Sequence, residues 1–414
     1  MTHTPPVSVI VVSHGRPALL RRVLIGISHL FYRPFEVVVV ADADGLAAIA
    51  GLPFADRIKT AVQLSPNISA ARNVGADLAA GDILAFIDDD AVPEPTWLFH
   101  LVSPLIETDF ATSTGTVLGR NGISVQWANR SVDVLGQAHP MAGQTPAPGH
   151  AIKLEGTNMA IRRSVLREVG GFDEGFGFYL DETDLAFRLF KAGYKTAFAP
   201  LATVHHGYAA SARRSEDRVP LGLFQIGCST MLYLRKHGTE AERIQGLVLM
   251  QAEQTARLAR LKAAGRLDAV KTVRLLADLE AGQEAGRLLP SDFHRIIADG
   301  SGFTPLTQND PPEPMLISGR WTSQRRLQAQ ATAAAQQGRS VTLMIFDHSI
   351  RAHKTTFTQE GIWLQRGGLF GPSDRDQRRF TLWSFNGRVR AETTRLQKIR
   401  WIQTLPMGHI RTVP

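Results

Sequence analysis

Three apolar runs, each stopping at a polar turn, constrain the fold of this chain more than any other feature. Val7–Ser13 (VSVIVVS) stops at His14-Gly15-Arg16-Pro17, Phe35–Ala41 (FEVVVVA) ends at Asp42, and Ile83–Ile87 (ILAFI) runs into Asp88-Asp89-Asp90. β-Branched side chains crowd a helix but fit a pleated surface. Runs that are apolar at successive positions, rather than at alternate ones, predict strands covered on both faces. The intervening segments have helical spacing: Leu20, Val23, Leu24 and Ile27 share one face of Leu19–His29, and Ile68–Ala80 stops at Gly81-Asp82. Strands alternating with helices predict an α/β architecture with its ligand crevice beyond the carboxyl ends of the strands. Asp42 and the Asp88–Asp90 cluster both fall at such ends.

The chain has 414 residues, enough for two or three domains. Gly136–Gly149, rich in Gly and Pro, predicts a mobile loop or linker. Beyond it, Ser164–Val169 and Asp184–Lys191 predict short helices and Thr196–Ala202 a strand. Pro220–Leu289 is rich in Ala, Leu, Arg and Glu and predicts helices, and Gly300–Pro314 reads as a linker. Ser340–Phe346, Thr355–Gln365 and Arg379–Val389 are β-type runs, with Gly367-Gly368 and Asn386-Gly387 as turn signals. The expected division is a first domain over 1–215, a helical accessory segment over 216–299 and a small β-rich module over 315–414.

Hydrophobic residues make up 44% of the chain, which excludes global disorder, and the single cysteine, Cys228, excludes a disulfide scaffold. The net charge of +8 is unevenly spread: residues 1–210 carry 16 Lys+Arg against 20 Asp+Glu, and residues 211–414 carry 30 against 18. The basic C-terminal half suits an anionic partner, and peripheral contact with an acidic membrane surface is one such expectation. Nucleic acid is not expected, because the basic half does not interleave its cations with stacking aromatics. Met1–Val9 lacks a cationic stretch and an apolar core, so no secretory signal is expected. No apolar run approaches the ~20 residues of a membrane span. The expectation is a cytoplasmic protein, at most peripheral on the inner face of a membrane.

Three carboxylates straight after a buried-type strand repel one another unless a cation compensates them. Such oxygen ligands suit Mg²⁺ or Mn²⁺ sharing a nucleotide's phosphates. The alternative is a charged turn or a helix cap, since Glu94 and Trp97-Leu98 fit a helix start. A second acidic cluster, Asp181-Glu182-Thr183-Asp184, opens a helical stretch. The helix dipole accounts for one or two of its acids, and a general base beside an acceptor hydroxyl accounts for the same pattern. His205-His206 follows a strand, where a histidine can complete a metal site or serve structure alone. Arg72-Asn73 could reach an anionic nucleotide or form a surface pair. The chain contains no G-x-x-x-x-G-K-[ST], H-E-x-x-H, G-x-S-x-G or C-x-x-C, which removes support for P-loop, zincin, hydrolase and thiol-redox chemistry.

Taken together, VSVIVVSHGRP, FEVVVVAD, SAARNVGADLAAGDILAFIDDDAVPEPTWL, GTNMAIRRSVLREVGGFDEGF, YLDETDLAFRLFKAGY and APLATVHH resemble a family 2 glycosyltransferase of GT-A fold, over about residues 7–210. The resemblance implies a nucleotide-sugar-binding mixed sheet flanked by helices. It also implies inverting transfer of a sugar from a nucleotide diphosphate sugar to a hydroxyl of a glycan or lipid-linked acceptor. The D-x-D motif of the family falls on Asp88 and Asp90, with Asp90, Asp88 and His206 as ligands of Mn²⁺ or Mg²⁺. On the same resemblance Asp42, Arg72, Asp88, Asp89, Gly156, Thr157 and Asn158 bind the donor, and Trp97 lies on the acceptor side. The catalytic base falls on Glu182, where the family pattern has Asp, or on Asp181 in a shifted register. Two rival readings are a non-catalytic sugar-nucleotide-binding scaffold and a nucleotidyltransferase. The clustered charge argues against the first, and the absence of a Gly-rich phosphate loop after the first strand against the second.

Overall fold

A computed structural model describes residues 4–63, 65–207, 215, 217, 219–300, 302–307 and 310–402. The first part of the chain is β1 (Val7–Ser13), α1 (Pro17–Ser28), β2 (Phe35–Ala41), α2 (Ala43–Ile49), β3 (Ile58–Val62), α3 (Ile68–Leu78) and β4 (Ile83–Asp88). Its four strands are parallel, in the order β3-β2-β1-β4. Alternate residues enter two cores: Val7, Val9 and Val11 the first and Ile10 the second, Val37 and Val39 the first and Val38 the second. Strand β4 does the same, with Ile83, Ala85 and Ile87 against Leu84 and Phe86. Both faces are thus dry, which explains why these runs lack polar alternation. Each Val, Leu or Ile buried in this way contributes ~1.5–3 kcal/mol.

Next come β5 (Ala91–Pro93), α4 (Trp97–Glu107), β6 (Thr112–Leu118), β7 (Val125–Trp127), β8 (Arg130–Val132), β9 (Ala138–Pro140), β10 (Ala151–Ile152), β11 (Met159–Arg162), α5 (Arg163–Glu168), α6 (Asp181–Lys191) and β12 (Thr196–His206). Strand β11 is antiparallel to both β4 and β6, β12 is parallel to β6, and β5 is antiparallel on the outer side of β12. The result is a mixed, helix-flanked sheet, ordered β3-β2-β1-β4-β11-β6-β12-β5. The Gly/Pro-rich stretch expected as a linker contains β9, which joins β8 and β10 in a small three-stranded sheet beside the main one.

Helix α3 lies close against the sheet because residue 75 is glycine: a Cβ there would stand 2.5 Å from Ile10 Cγ2. As the crossover between parallel strands, α3 begins at their carboxyl ends, and its early turns carry Arg72 to that edge.

The remaining elements are α7 (Phe224–His237), α8 (Glu240–Ala263), α9 (Ala269–Leu288), β13 (Pro314–Arg320), α10 (Gln324–Gln336), β14 (Ser340–Asp347), β15 (Lys354–Phe357), β16 (Ile362–Gly368) and α11 (Phe385–Arg400). No helix among the described residues is long and apolar enough to cross a membrane. The C-terminal sheet is ordered β13-β14-β16-β15, with β13, β14 and β16 parallel. Helix α10 covers one face and α11 the other, so this part is α/β and not merely β-rich. The expected β-type run Arg379–Val389 is instead an irregular stretch followed by the start of α11. Asn386-Gly387 lies in its first turn, where Gly387 N donates to the Ser384 cap at 3.1 Å. The buried residues Val389, Leu396 and Arg400 recur at helical spacing, which a short window misses. Of the ranges read from sequence, residues 1–3, 64, 208–214, 216, 218, 301, 308–309 and 403–414 lie outside the described residues.

Candidate active site

The Asp triplet is split three ways by the turn from β4 into β5. Asp88 is partly exposed, with Oδ1 3.3 Å from Arg72 Nη2. Asp89 points inward: its Oδ2 accepts from Ser13 Oγ at 2.6 Å, and Arg16 Nη2 lies 2.6 Å from its Oδ1. Burial pushes Asp89 up to about 7 against the pull of the Arg16 guanidinium. Asp90 Oδ1 lies 3.1 Å from His206 Nε2. The ladder explains this approach, because His206 on β12 pairs directly with Ala91 on β5. Ligand atoms of Asp88, Asp90 and His206 all lie within 4.8 Å of one another. His206 Nδ1 is 3.1 Å from Gln126 Oε1. With Nδ1 as the donor, Nε2 keeps its lone pair toward the carboxylates. Two carboxylates and an imidazole are a donor set that Mn²⁺ accepts, and these residues fit such an ion. Asp89, expected beside the donor, instead spends its oxygens on Ser13 and Arg16.

The second acidic cluster is presented by a strained turn. Tyr179 (φ +75) and Leu180 (φ +64) both occupy the left-handed region just before α6. Non-glycine residues in that region cost on the order of 1–3 kcal/mol each, and such strain concentrates at functional sites. The turn delivers Asp181 to the Arg72 guanidinium, which bonds it through Nη1 while Nη2 faces Asp88. Arg72 is itself buried and lies 5.4 Å from the Phe172 ring centroid. Gly156 is required beneath it, since a Cβ at 156 would stand 2.5 Å from Nη2. Glu182 Oε1 accepts from Lys153 Nζ at 2.9 Å, and Lys153 also reaches Thr183 Oγ1 and the Leu154 carbonyl, each at 3.2 Å. Burial alone would raise Glu182, but the Lys153 ammonium outweighs it and holds this carboxyl below its usual range. At Asp181 burial wins despite Arg72, and its carboxyl is pushed up. Asp184 is fully buried away from this pair, bound by Arg188 Nε (2.7 Å), Lys236 Nζ (2.9 Å) and His237 Nε2 (2.9 Å). It ties α6 to α7.

Asp42 caps α2, accepting from Gly45 N at 2.9 Å and from Gly15 N at 2.6 Å, and so joins the loops after β1 and β2. Thr157 is buried, and its Oγ1 has no hydrogen-bond partner among the described residues. Asn158 and Trp97, expected beside donor and acceptor, are both fully buried and face each other: Trp97 Nε1 donates to Asn158 Oδ1 at 2.8 Å. The Asn158 amide nitrogen donates to the Thr116 (3.0 Å) and Ala202 (2.8 Å) carbonyls, bracing β6 against β12. Sequence reasoning missed Lys153, Arg16 and Gln126. For Lys153 a signal existed: it is a lone lysine between Ile152 and Leu154, just before the Gly156 block.

A family model described as glycosyltransferase-like family 2 matches residues 5–218. The "Probable glycosyltransferase YdaM" of Bacillus subtilis is 28% identical over 219 residues, covering 49% of this chain and 50% of that protein. The "Pre-mycofactocin glycosyltransferase" of Mycobacterium tuberculosis is 31% identical over 173 residues, covering 40% of this chain and 35% of that protein. The chain thus spans half or less of the length of these curated relatives. Among solved structures, one of GalNAc-T7 with UDP, GalNAc and Mn²⁺ is similar at 18% identity and a TM-score of 0.44, over 57% of this chain and 48% of that one. With its family model matching more than half of its residues, the chain belongs to glycosyltransferase-like family 2.

Proposed function

We propose that this chain is an inverting, metal-dependent glycosyltransferase that moves a sugar from a nucleoside diphosphate donor to a hydroxyl of a glycan or lipid-linked acceptor. The observation that carries the reading is one continuous arrangement: Asp88, Asp90 and His206 converge at metal-ligand separations, and Arg72 links that cluster to Asp181 beside Glu182. In this reading residues 1–215 carry the chemistry, and 216–299 and 315–414 are accessory.

Asp88, Asp90 and His206 would hold Mn²⁺ or Mg²⁺, which when bound neutralises negative charge on a diphosphate leaving group. Asp42, at the carboxyl end of β2, would receive the nucleoside end of the donor. Thr157 Oγ1 offers a buried hydroxyl without a partner among the described residues. Buried polar groups of that kind cost free energy unless something pairs with them. Arg72 holds Asp88 and Asp181 in register and puts a fixed cation beside the diphosphate. Glu182 is kept ionised by Lys153 and takes the proton of the acceptor hydroxyl. The hydroxyl oxygen then attacks the anomeric carbon as the bond to the diphosphate breaks on the opposite side, which inverts the configuration. Exposed Phe178 and Tyr179, separated from the Asp181–Glu182 pair by the buried Leu180, would offer aromatic faces to the acceptor.

The test is a panel of sugar nucleotides incubated with the full chain and Mn²⁺, reading release of nucleoside diphosphate with and without EDTA. The reading expects release with at least one donor, suppressed by EDTA and by Asp90→Asn. Release that is indifferent to both would overturn the metal assignment.

A further inference from the structure

The far end of the chain reaches the strands that carry the metal cluster. Glu94, one residue beyond β5, is fully buried, and Arg400 at the end of α11 holds it with two bonds: Nε to Oε2 at 2.6 Å and Nη2 to Oε1 at 2.7 Å. His205 Nε2 closes on the same carboxylate at 2.7 Å. The four groups form a closed box, because Trp363 of β16 lies under the Arg400 guanidinium (4.4 Å) and against the His205 ring (4.7 Å). Glu94 also continues the ladder, its N–H donating to the Thr203 carbonyl at 3.0 Å.

His205 and Glu94 are not remote from the site. His205 adjoins His206, and β5 runs from Ala91, the residue after Asp90, to Pro93, the residue before Glu94. The Asp90–His206 approach therefore depends on the register of a strand pair only three ladder positions long: Val204 with Pro93, His205 with Val92 and His206 with Ala91. So short a ladder has little stiffness of its own. Clamping its far end with a bidentate guanidinium fixes both strands together. Further contacts hold the C-terminal unit in place: Thr355 N donates to the Asn121 carbonyl at 2.9 Å, and Arg375 Nε to Ser124 Oγ at 2.6 Å.

We infer that Arg400 and Glu94 are positioning residues for the metal cluster, and that the C-terminal α/β unit completes this cluster from behind. The inference rests on the metal reading above. Outer-shell partners of metal ligands typically change affinity by about 10–100-fold, and Arg400, one step further out, belongs at the lower end. The probe is Mn²⁺ alone, titrated into the full chain and read by the electron paramagnetic resonance signal of free Mn²⁺, with thermal melting followed by circular dichroism. Arg400→Met should weaken Mn²⁺ binding about tenfold, and Arg400→Lys, which keeps the charge, should recover part of the loss. Trp363→Leu removes the supporting ring without stranding a charge, so it decides the matter if Arg400→Met does not fold. It should weaken binding about threefold. A purely structural role would lower the melting temperature of these variants and leave the Mn²⁺ constant untouched; that result overturns the inference. If the wild-type chain binds no Mn²⁺ and is indistinguishable from Asp90→Asn, the metal reading itself falls, and this inference with it.

Discussion

Lys153 Nζ lies 2.9 Å from Glu182 Oε1, an ion pair between a lysine on the segment after β10 and an acid in the first turn of α6. The pairing gives the two acids of this turn opposite tendencies, Glu182 below its usual range and Asp181 above it. If Glu182 takes the acceptor proton, the rate stays level as pH falls from neutral until it passes below the ordinary glutamate value of about 4.3. A base at Asp181 would instead lose rate well above the ordinary aspartate value of about 3.9. Lys153→Met removes the opposing charge, so the acid limb should move up by about one to three pH units. The check is the pH–rate profile of both proteins. An unmoved limb in Lys153→Met places the base elsewhere.

Gly156 is the narrowest point around Arg72. In Gly156→Ala the new Cβ, 2.5 Å from Nη2, must push the guanidinium off Asp88 and Asp181. Displacements of this size cost about a hundredfold in turnover when they disturb a positioned group. The expected outcome is that loss together with a lowered melting temperature, because the buried Arg72 and Asp181 lose each other, read by initial rates and circular dichroism.

Asp184 gives the contrasting prediction. It belongs to the same acidic motif but is fully buried among Arg188, Lys236 and His237, which together overcome its burial and hold it below the usual range. Asp184→Asn strands those cations and should destabilise the chain by about 3–5 kcal/mol. A depressed carboxyl contributes stability above its unfolded value of about 3.9 and loses it as pH falls through the folded value. Urea unfolding should therefore show a large gap between wild type and Asp184→Asn at neutral pH, narrowing in acid.

What could be read from the residues alone divides along physical lines. The parallel strands were legible because both faces are dry, so every position in VSVIVVS and every position but Glu36 in FEVVVVA is small or apolar; Glu36 is buried and held by Lys59 and Ser8. The turn after β4 was legible because three adjacent acids are costly without a purpose. Motif spacing does not report orientation, so it gave no sign that Asn158 and Trp97 are fully buried and bonded to each other. Helix α11 was hidden because its apolar residues are sparse and its charged ones, Arg388, Glu392 and Arg400, are buried. Long-range ion pairs leave no local signature: Lys153 meets Glu182 from 29 positions away, and Arg400 meets Glu94 from 306.

The central claim is that Asp88, Asp90 and His206 bind a divalent ion on which a nucleoside diphosphate is held. The most direct measurement is the melting temperature of the wild-type chain and Asp90→Asn against a panel of nucleoside diphosphates, each with and without Mn²⁺. Saturation at a hundred times the dissociation constant stabilises a protein by about 2.7 kcal/mol, a rise of several degrees at most for a chain of this size. The account predicts such a rise for at least one nucleoside diphosphate, in the wild type only and with Mn²⁺ only. No rise with any of them, or an equal rise without Mn²⁺ and in Asp90→Asn, would contradict it.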